Sequence, residues 1–138
     1  MPEIFADTSG LLLYLDASQM GHQRVIDIAR HHMTTGGTFV TTNYVLTELV
    51  ALFTSRTRLS RTQICTAVDA IHQTPFFEVV HVTPELHANA FQLLRVRPDK
   101  DWSWVDAVSF LVMQNFGLTQ ALTTDHHFDQ AGFDRLIK

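Results

Sequence analysis

Four acidic residues that are far apart in the sequence lie at or beside apolar segments: Asp7, Glu48, Asp106 and Asp125. Asp7 and Asp125 each end a short apolar run of the kind that forms buried strands. Glu48 and Asp106 lie in apolar helical segments. Mg²⁺ and Mn²⁺ prefer oxygen ligands and keep several waters, so a few converging carboxylates are enough to hold them. The pattern therefore indicates a divalent-metal site if the fold brings these acids together.

The segments that must position the acids alternate between strand-like and helix-like patterns. Apolar periodicity and turn residues predict strands at Ile4–Ala6, Thr38–Thr41, Phe77–Val82, Gln120–Thr123 and Asp134–Ile137, and helices at Ser9–Leu15, Gln23–Met33, Tyr44–Arg56, Arg61–Gln73, Glu85–Val96 and Ser103–Gly117. Asn43 and Ser60 are the predicted N-caps of two of these helices. The alternation is typical of an α/β fold with a mostly parallel central sheet.

A parallel sheet would place the four acids at one edge. Sites in such sheets form beyond the carboxyl ends of the strands, and Asp7 and Asp125 directly follow strands. The helix Ser103–Gly117 leads into a strand and must run antiparallel to it, so Asp106 in its first turn lies at the same edge. Glu48 lies about one turn into the helix after the second strand. All four acids therefore map to one rim.

Length and composition limit the class of protein. The chain has 138 residues, which predicts a single domain over residues 1–138, and its 46% hydrophobic and 17% charged residues predict a globular protein. The lone Cys65 excludes an internal disulfide, and no apolar run is long enough to span a membrane, so a cytoplasmic protein is expected. The net charge of −4 argues against binding nucleic acid through overall charge. It does not exclude an enzyme that handles phosphodiesters through metal ions.

Helix capping is the strongest alternative explanation for the acids. Asp7 precedes a helix, and Asp125 precedes a turn. Asp106 follows Ser103 in the Ser-x-x-Asp pattern of a capping box. Glu48 is harder to explain in this way, because it lies at the edge of an apolar helical stripe, where carboxylates are rare unless they have a partner. Any one acid is weak support for a metal site, and the four together are stronger.

Histidine, tryptophan and arginine residues are further candidates. His126-His127 adjoins Asp125 and is suited to a metal or a phosphate. Trp102 and Trp104 are interpreted as packing residues rather than as base-stacking platforms, as is usual for aromatic side chains. The segment 56–61 is either a solvated loop or the best candidate in this chain for contacts with RNA phosphates, because it carries three arginines and no acid: Arg56, Arg58 and Arg61.

Four short motifs together resemble those of the PIN domain, most closely of the VapC-type ribonuclease toxins of toxin–antitoxin systems. The motifs are Phe5-Ala6-Asp7-Thr8-Ser9, Asn43-Tyr44-Val45-Leu46-Thr47-Glu48, Asp101-Trp102-Ser103-Trp104-Val105-Asp106-Ala107, and Leu122-Thr123-Thr124-Asp125-His126-His127-Phe128 with Ala131-Gly132-Phe133. The resemblance extends from Ile4 to about Leu136. The order and spacing of the motifs are more specific than any motif alone.

The resemblance implies a three-layer α/β/α domain that binds Mg²⁺ or Mn²⁺ at the acids and cleaves RNA endonucleolytically. It also implies homodimers and inhibition by a small antitoxin. We expect a partner peptide to lie across the helices Tyr44–Arg56 and Arg61–Gln73 and to place a basic side chain on the acids. Trp104-Val105 replaces the small polar pair expected after Trp-Ser, so the shape of the substrate groove is expected to differ.

The same resemblance assigns roles to the residues of the rim. The four acids fall on the acidic positions of the family. From the coordination chemistry of Mg²⁺ and Mn²⁺ we expect Asp7 and Asp106 to be the inner ligands, and Glu48 and Asp125 to hold waters of the ion or a second ion. A hydroxyl that supports the site falls on one of two positions, Thr8 or Ser9. Two like charges 4 Å apart repel by roughly 4 kcal/mol at an effective dielectric constant near 20. Without metal, at least one acid should therefore be partly protonated.

Three other functions remain open. A receiver-like signalling domain has a similar length and fold, but Lys100 and Lys138 are poorly placed for it and an acidic pair after the first strand is missing. A phosphate-monoester hydrolase with Asp7 as nucleophile usually has a second acid two residues on, where this chain has Ser9. A PIN-like module that binds RNA without cutting it is disfavoured by the presence of all four acids.

Overall fold

A computed structural model, which describes residues 3–138, shows that strands and helices alternate along the chain. The strands are β1 (Ile4–Ala6), β2 (Phe39–Thr42), β3 (Phe77–Val80), β4 (Gln120–Leu122) and β5 (Asp134–Arg135). The helices are α1 (Thr8–Leu15), α2 (His22–Thr34), α3 (Asn43–Arg56), α4 (Arg61–Gln73), α5 (Pro84–Val96), α6 (Trp104–Phe116) and α7 (His127–Gln130). The predicted elements are present with small differences at their ends, and the short helix α7 was not predicted.

The five strands form one sheet in the order β3-β2-β1-β4-β5, and each neighbouring pair is parallel. The first strand is central, because β2 lies on one side of it and β4 on the other. The order of the strands therefore reverses at β1, and a crevice forms there beyond the carboxyl ends of β1 and β4. The predicted α/β fold with a mostly parallel sheet is confirmed.

Helices cover the sheet in a three-layer α/β/α arrangement. Every residue of β1 and β2 is buried, as is expected for parallel strands that are packed on both faces. The side chains of Phe5, Phe39 and Phe110 are among the largest fully buried ones. Helix α6 contributes seven buried residues and is the apolar central helix that the sequence predicts. None of the helices in residues 3–138 is long and apolar enough to cross a membrane.

Helix capping follows the predictions except at α3. Ser60 forms a capping box with Gln63 at the start of α4, as predicted. The predicted cap Asn43 is wrong, because the hydroxyl of Thr42 accepts the hydrogen bond from Val45 N at 3.1 Å. Asn43 is the first helical residue instead, and its Oδ1 accepts a hydrogen bond from Val82 N at 2.8 Å. The side-chain amide of Asn43 therefore holds the segment after β3 against α3.

Gly10 permits a close approach between α1 and β4. A Cβ atom at this position would lie 2.0 Å from the carbonyl oxygen of Leu122, which is far inside van der Waals contact. Because a glycine stands there, the first turn of α1 lies directly against the end of β4. The residues after β1 and those after β4 are thereby held side by side.

Candidate active site

The rim beyond the carboxyl ends of the strands brings the four predicted acids together. Asp7 follows β1, Asp125 lies just beyond β4, and α6 starts at this edge with Asp106 in its first turn. Burial is the main cause of the raised pKa values of Asp7 and Glu48, and nearby charges add to it: Asp106 and Glu48 raise the pKa of Asp7, and Asp106 and Asp125 raise that of Glu48. The convergence inferred from the parallel sheet is present in the structure.

Asp7 is the most deeply buried of the four acids, with 4% of its surface exposed. Its Oδ2 accepts a hydrogen bond from Thr123 Oγ1 at 2.9 Å, and Ser9 Oγ lies 3.5 Å away. Its Oδ1 is buried and has no hydrogen-bond partner among the described residues. Burial is the main cause that raises the pKa of Asp7 to about 7, and the charges of Asp106 and Glu48 add to it.

Asp7 is not a side-chain cap. It occupies the N-cap position of α1, but its carboxylate makes no capping hydrogen bond. Only its backbone carbonyl takes part, accepting a hydrogen bond from Leu11 N at 2.9 Å. A buried carboxylate oxygen without a partner is costly, and such an atom in a native fold commonly faces a missing ion or water. The capping explanation fails for Asp7.

Asp106 does cap its helix, as the alternative explanation predicted. Its Oδ2 accepts a hydrogen bond from Ser103 N at 3.0 Å, and Ser103 Oγ accepts one from Asp106 N at 3.0 Å. The Nδ1 atom of His127 lies 3.2 Å from the same Oδ2. Burial, and then the charge of Asp125, raise the pKa of Asp106, although the Ser103 N–H and His127 oppose this rise. The other oxygen of Asp106, Oδ1, takes part in none of these contacts. Capping of the helix and binding of a metal ion are therefore compatible at this residue.

Glu48 is held by Thr8, whose hydroxyl donates a short hydrogen bond to Glu48 Oε1. Thr8 is buried, whereas Glu48 is half-buried on α3. Burial raises the pKa of Glu48, and the hydrogen bond from Thr8 acts in the opposite direction. Of the two hydroxyls proposed to support the site, Thr8 therefore orients Glu48 and Ser9 lies beside Asp7.

Replacing Thr8 by valine should weaken metal binding by about 10- to 100-fold, the usual effect of removing a residue that orients a ligand. Valine keeps the shape of the side chain but cannot donate to Glu48 Oε1. Calorimetric titration of Mn²⁺ into the metal-free protein measures the effect. Thr47→Val is the matched control, because Thr47 is exposed on α3 and donates to its own helix at Asn43 O, 2.8 Å away. Equal affinities in the two variants would contradict this role for Thr8.

Asp125 and His127 form the part of the rim that lies next to β4. Asp125 Oδ1 accepts a hydrogen bond from His127 N at 2.9 Å, so this acid also starts the short helix α7. The His127 ring lies between two acids, since its Nδ1 is 3.2 Å from Asp106 Oδ2 and 3.3 Å from Asp125 Oδ1. His126 is mostly exposed, with its Nδ1 3.8 Å from Asp125 Oδ1. Asp125, His126 and His127 are grouped closely enough to bind a metal ion.

Sequence reasoning missed the part played by Thr123. Its buried hydroxyl donates to Asp7, lies 3.1 Å from Ser9 Oγ and accepts a hydrogen bond from Asp125 N at 3.0 Å. One side chain thus connects the residue after β1 with the loop after β4. The signal available in the sequence was the Thr-Thr pair immediately before Asp125, at the end of a buried strand.

The three candidate arginines lie apart from the acids. Arg56 and Arg58 line an open cavity of about 510 Å³ together with Asp16 and Leu59. Arg56 is the last residue of α3, eight residues beyond Glu48 and therefore about 12 Å further along the helix. The basic surface consists of Arg56 and Arg58, with Arg61 close by in sequence at the start of α4.

The donor set of the rim suits a divalent cation in its chemistry, whereas within residues 3–138 the group whose ligand atoms lie within 4.8 Å of one another is Asp125, His126 and His127 rather than the four acids. The rim offers four carboxylates, one of which has a buried oxygen without a partner, and no lysine or arginine makes a salt bridge to any of them in the described part of the chain. Hard cations such as Mg²⁺ and Mn²⁺ take carboxylate oxygens, and an adjacent imidazole is a ligand that Mn²⁺ accepts more readily. Burial is the main cause of the raised pKa values of Asp7, Glu48 and Asp106, and the charges of neighbouring acids add to it.

Comparison with known proteins agrees with this site and fold. No family model matches the sequence. Two curated proteins, the 23S rRNA-specific endonuclease VapC20 of Mycobacterium tuberculosis strains CDC 1551 and H37Rv, are each 34% identical over 94 residues, which cover 68% of this chain and 70% of the relative. The fold and the acidic rim therefore define a PIN-like nuclease domain. The chain belongs to the VapC-type ribonuclease toxins and is an endoribonuclease.

Solved structures support this membership. The crystal structure of M. tuberculosis VapC20, a sarcin–ricin loop cleaving toxin, matches with a TM-score of 0.84 and 28% identity, over 98% of this chain and 99% of that one. FitAcB from Neisseria gonorrhoeae matches with a TM-score of 0.64 and 15% identity, over 98% of this chain and 96% of that one. The second likeness shows the fold alone.

Proposed function

We propose that this endoribonuclease depends on Mg²⁺ or Mn²⁺ held by Asp7, Glu48, Asp106 and Asp125. The observation that carries the proposal is the buried, unpartnered Oδ1 of Asp7 in a group of acids whose pKa values are raised. Only a cation makes such an arrangement favourable with all carboxylates ionised. A bound divalent ion would neutralise charge on the scissile phosphate and activate a water.

The protein's own residues orient this centre. Asp7 and Asp106 are the inner ligands, because both are buried and each keeps one oxygen outside the contacts described above. The hydroxyls of Thr123 and Thr8 fix the orientations of Asp7 and Glu48. His127 is placed between Asp106 and the acid after β4, and so sets the distance between those two carboxylates. This side-chain network holds the site in shape before RNA binds.

The substrate we propose is a structured loop of ribosomal RNA. The two curated relatives are named as specific for 23S rRNA, and the related crystal structure is that of a sarcin–ricin loop cleaving toxin. The basic surface of Arg56 and Arg58, together with Arg61, would contact phosphates of the RNA outside the cleaved loop. Such a substrate and the lone Cys65 fit a cytoplasmic protein.

The partner we propose is a small antitoxin that covers α3 and α4. A cavity of about 320 Å³ lies between these helices, with Leu46, Val50 and Val68 among its lining residues. An apolar helix would fit this groove, and an arginine that extends from it would pair with the rim carboxylates. A homodimer is proposed as well, on the basis of the family resemblance.

Purified protein should cleave a hairpin of the sarcin–ricin sequence with Mg²⁺ or Mn²⁺ and stop when a chelator is added. The measurement is gel analysis of end-labelled RNA with mapping of the cut. A hairpin with the same stem and a scrambled loop is the control, and it should be cut much more slowly. RNA binding without cleavage under any divalent metal would favour the non-catalytic module, and cleavage that persists in chelator would contradict the metal site.

A further inference from the structure

Four aromatic side chains form a row on the surface formed by α3, α5 and α6. Tyr44 meets His87 edge-on at 5.9 Å between centroids, His87 stacks on Trp104 at 4.2 Å, and Phe91 lies 4.8 Å from Trp104. The guanidinium of Arg95 lies 5.1 Å from the centre of the Phe91 ring and gives this end of the row a positive charge. Phe91 is 40% exposed and Trp104 36%, which is unusual for large hydrophobic residues that pack so closely together.

Hydrogen bonds fix the row in position. The indole Nε1 of Trp104 donates to the backbone oxygen of His87 at 3.0 Å. The Nδ1 of His87 is 2.7 Å from the hydroxyl of Tyr44. The indole therefore has one ring face on His87, a fixed orientation and an exposed surface. A rigid, exposed aromatic surface costs little entropy when a planar ligand stacks on it.

The two tryptophans have different environments, although the sequence suggested packing for both. Trp102 is 8% exposed, meets Phe110 edge-on at 5.0 Å and donates its Nε1 to Gln130 Oε1. It is a core residue. Trp104 comes two residues later on the opposite, exposed side, and core packing does not account for it.

The row is continuous with the acidic rim. Trp104 starts α6, two residues before Asp106. One cavity of about 370 Å³ is lined both by Tyr44 of the row and by Glu48 of the rim, together with Val105. RNA held at the acids would therefore extend directly over the aromatic residues.

We propose that Trp104 stacks against an unpaired base of the RNA, near the phosphate that is cleaved. This inference rests on the proposed function and adds a substrate-binding position to it. Proteins that recognise RNA loops commonly place splayed bases on aromatic and arginine side chains, as the row and Arg95 provide. The occupant is a nucleobase rather than a second copy of the chain, because Trp104 precedes Asp106 by two residues and the row shares a cavity with Glu48, so the ligand bound at the rim is the one that reaches the row.

The test measures RNA binding separately from cleavage. Asp7→Asn protein serves as a cleavage-inactive parent, and fluorescence anisotropy measures its affinity for the sarcin–ricin hairpin. Adding Trp104→Ala should weaken binding by about 5- to 150-fold, the range for loss of one stacked base. Trp104→Phe keeps a stacking ring and should restore most of the affinity. Phe116→Ala is the matched control, because Phe116 is 41% exposed at the other end of the same helix, and it should leave affinity unchanged.

An abasic scan identifies the stacked base. Abasic nucleotides placed one at a time through the loop should reveal one position whose loss weakens binding to the parent but not to the Trp104→Ala protein. Equal penalties in both proteins at every position would overturn the proposal. A change from dimer to monomer on Trp104→Ala, with the abasic penalties unaltered, would overturn it too and assign the row to a contact between copies. If the unmodified protein neither binds nor cuts RNA, the proposed function fails. If it does both, and Trp104→Ala leaves its affinity for RNA unchanged, only this inference fails.

Discussion

Asp106→Asn should lower the rate of RNA cleavage by at least about 100-fold while the protein stays folded. Loss of a residue that merely orients a metal ligand costs 10- to 100-fold, and Asp106 is proposed as a ligand itself. Asparagine retains an oxygen that can accept the hydrogen bond from Ser103 N, so the capping box of α6 is preserved. The substitution removes the negative charge and leaves the cap, which separates the two roles of this residue.

Single-turnover cleavage at saturating Mg²⁺ and thermal unfolding of the same samples measure both effects. Asp27→Asn is the control, because Asp27 is an exposed acid on α2 whose only described partner is Gln23 on the same helix. It should cleave at the wild-type rate. A folded Asp106→Asn protein that remains active would remove Asp106 from the metal site.

Asp7→Asn should make the metal-free protein more stable at pH 8 than the wild type. The folded protein binds a proton at Asp7 with a pKa of about 7, whereas the ordinary value is 3.8. Between these two pH values the folded state binds more protons than the unfolded state, so the free energy of unfolding falls as pH rises. The full difference between the two pKa values corresponds to roughly 4 kcal/mol of lost folding stability. A neutral asparagine does not cause this loss.

Chemical denaturation in chelator at a series of pH values between about 4 and 8 provides the measurement. The wild-type curve should decline over this window and the Asp7→Asn curve should be flatter. Added Mn²⁺ should stabilise the wild type, by about 2.7 kcal/mol at a hundredfold excess over the dissociation constant, and the variant far less. A pH dependence that is identical in the two proteins would show that Asp7 is already ionised without metal.

Asp16 is a control of opposite sign for this experiment. Burial acts to raise its pKa, but hydrogen bonds from Ser18 and Gln19 outweigh burial and hold the pKa below its ordinary value. The stability that Asp16 contributes is therefore present above its unfolded pKa and is lost as pH falls. Asp16→Asn should lower the free energy of unfolding at neutral pH, where Asp7→Asn raises it.

The positions of the acids could be predicted because they depend on topology alone. Once the strands are parallel, residues that follow β1 and β4 must share an edge, and the direction of α6 brings Asp106 to it. The side-chain partners could not be predicted in the same way. Thr42 rather than Asn43 caps α3 because Asn43 is drawn to Val82, 39 residues away in sequence, and no local pattern contains that contact.

The same limit applies to residues whose type fits several environments. Trp102 and Trp104 are separated by one residue, yet one is buried and the other forms part of an exposed row. Ser103 caps α6 between them and turns the chain, and that turn decides which indole faces the core. His127 was recognised only as a neighbour of Asp125, because its contact with Asp106 depends on how α7 packs against the start of α6.

The central position of β1 affects when the nuclease becomes active during its own synthesis. β1 is made more than one hundred residues before its neighbour β4, as the pairing of Phe5 with Ala121 shows. Thr123, which orients Asp7, and Asp125 follow β4 and reach the rim only after that pairing forms. Contacts so distant in sequence form late. A nascent chain that stops short of β4 therefore carries Asp7 and Glu48 without Thr123 and Asp125, so the proposed centre assembles only after β4 has been made.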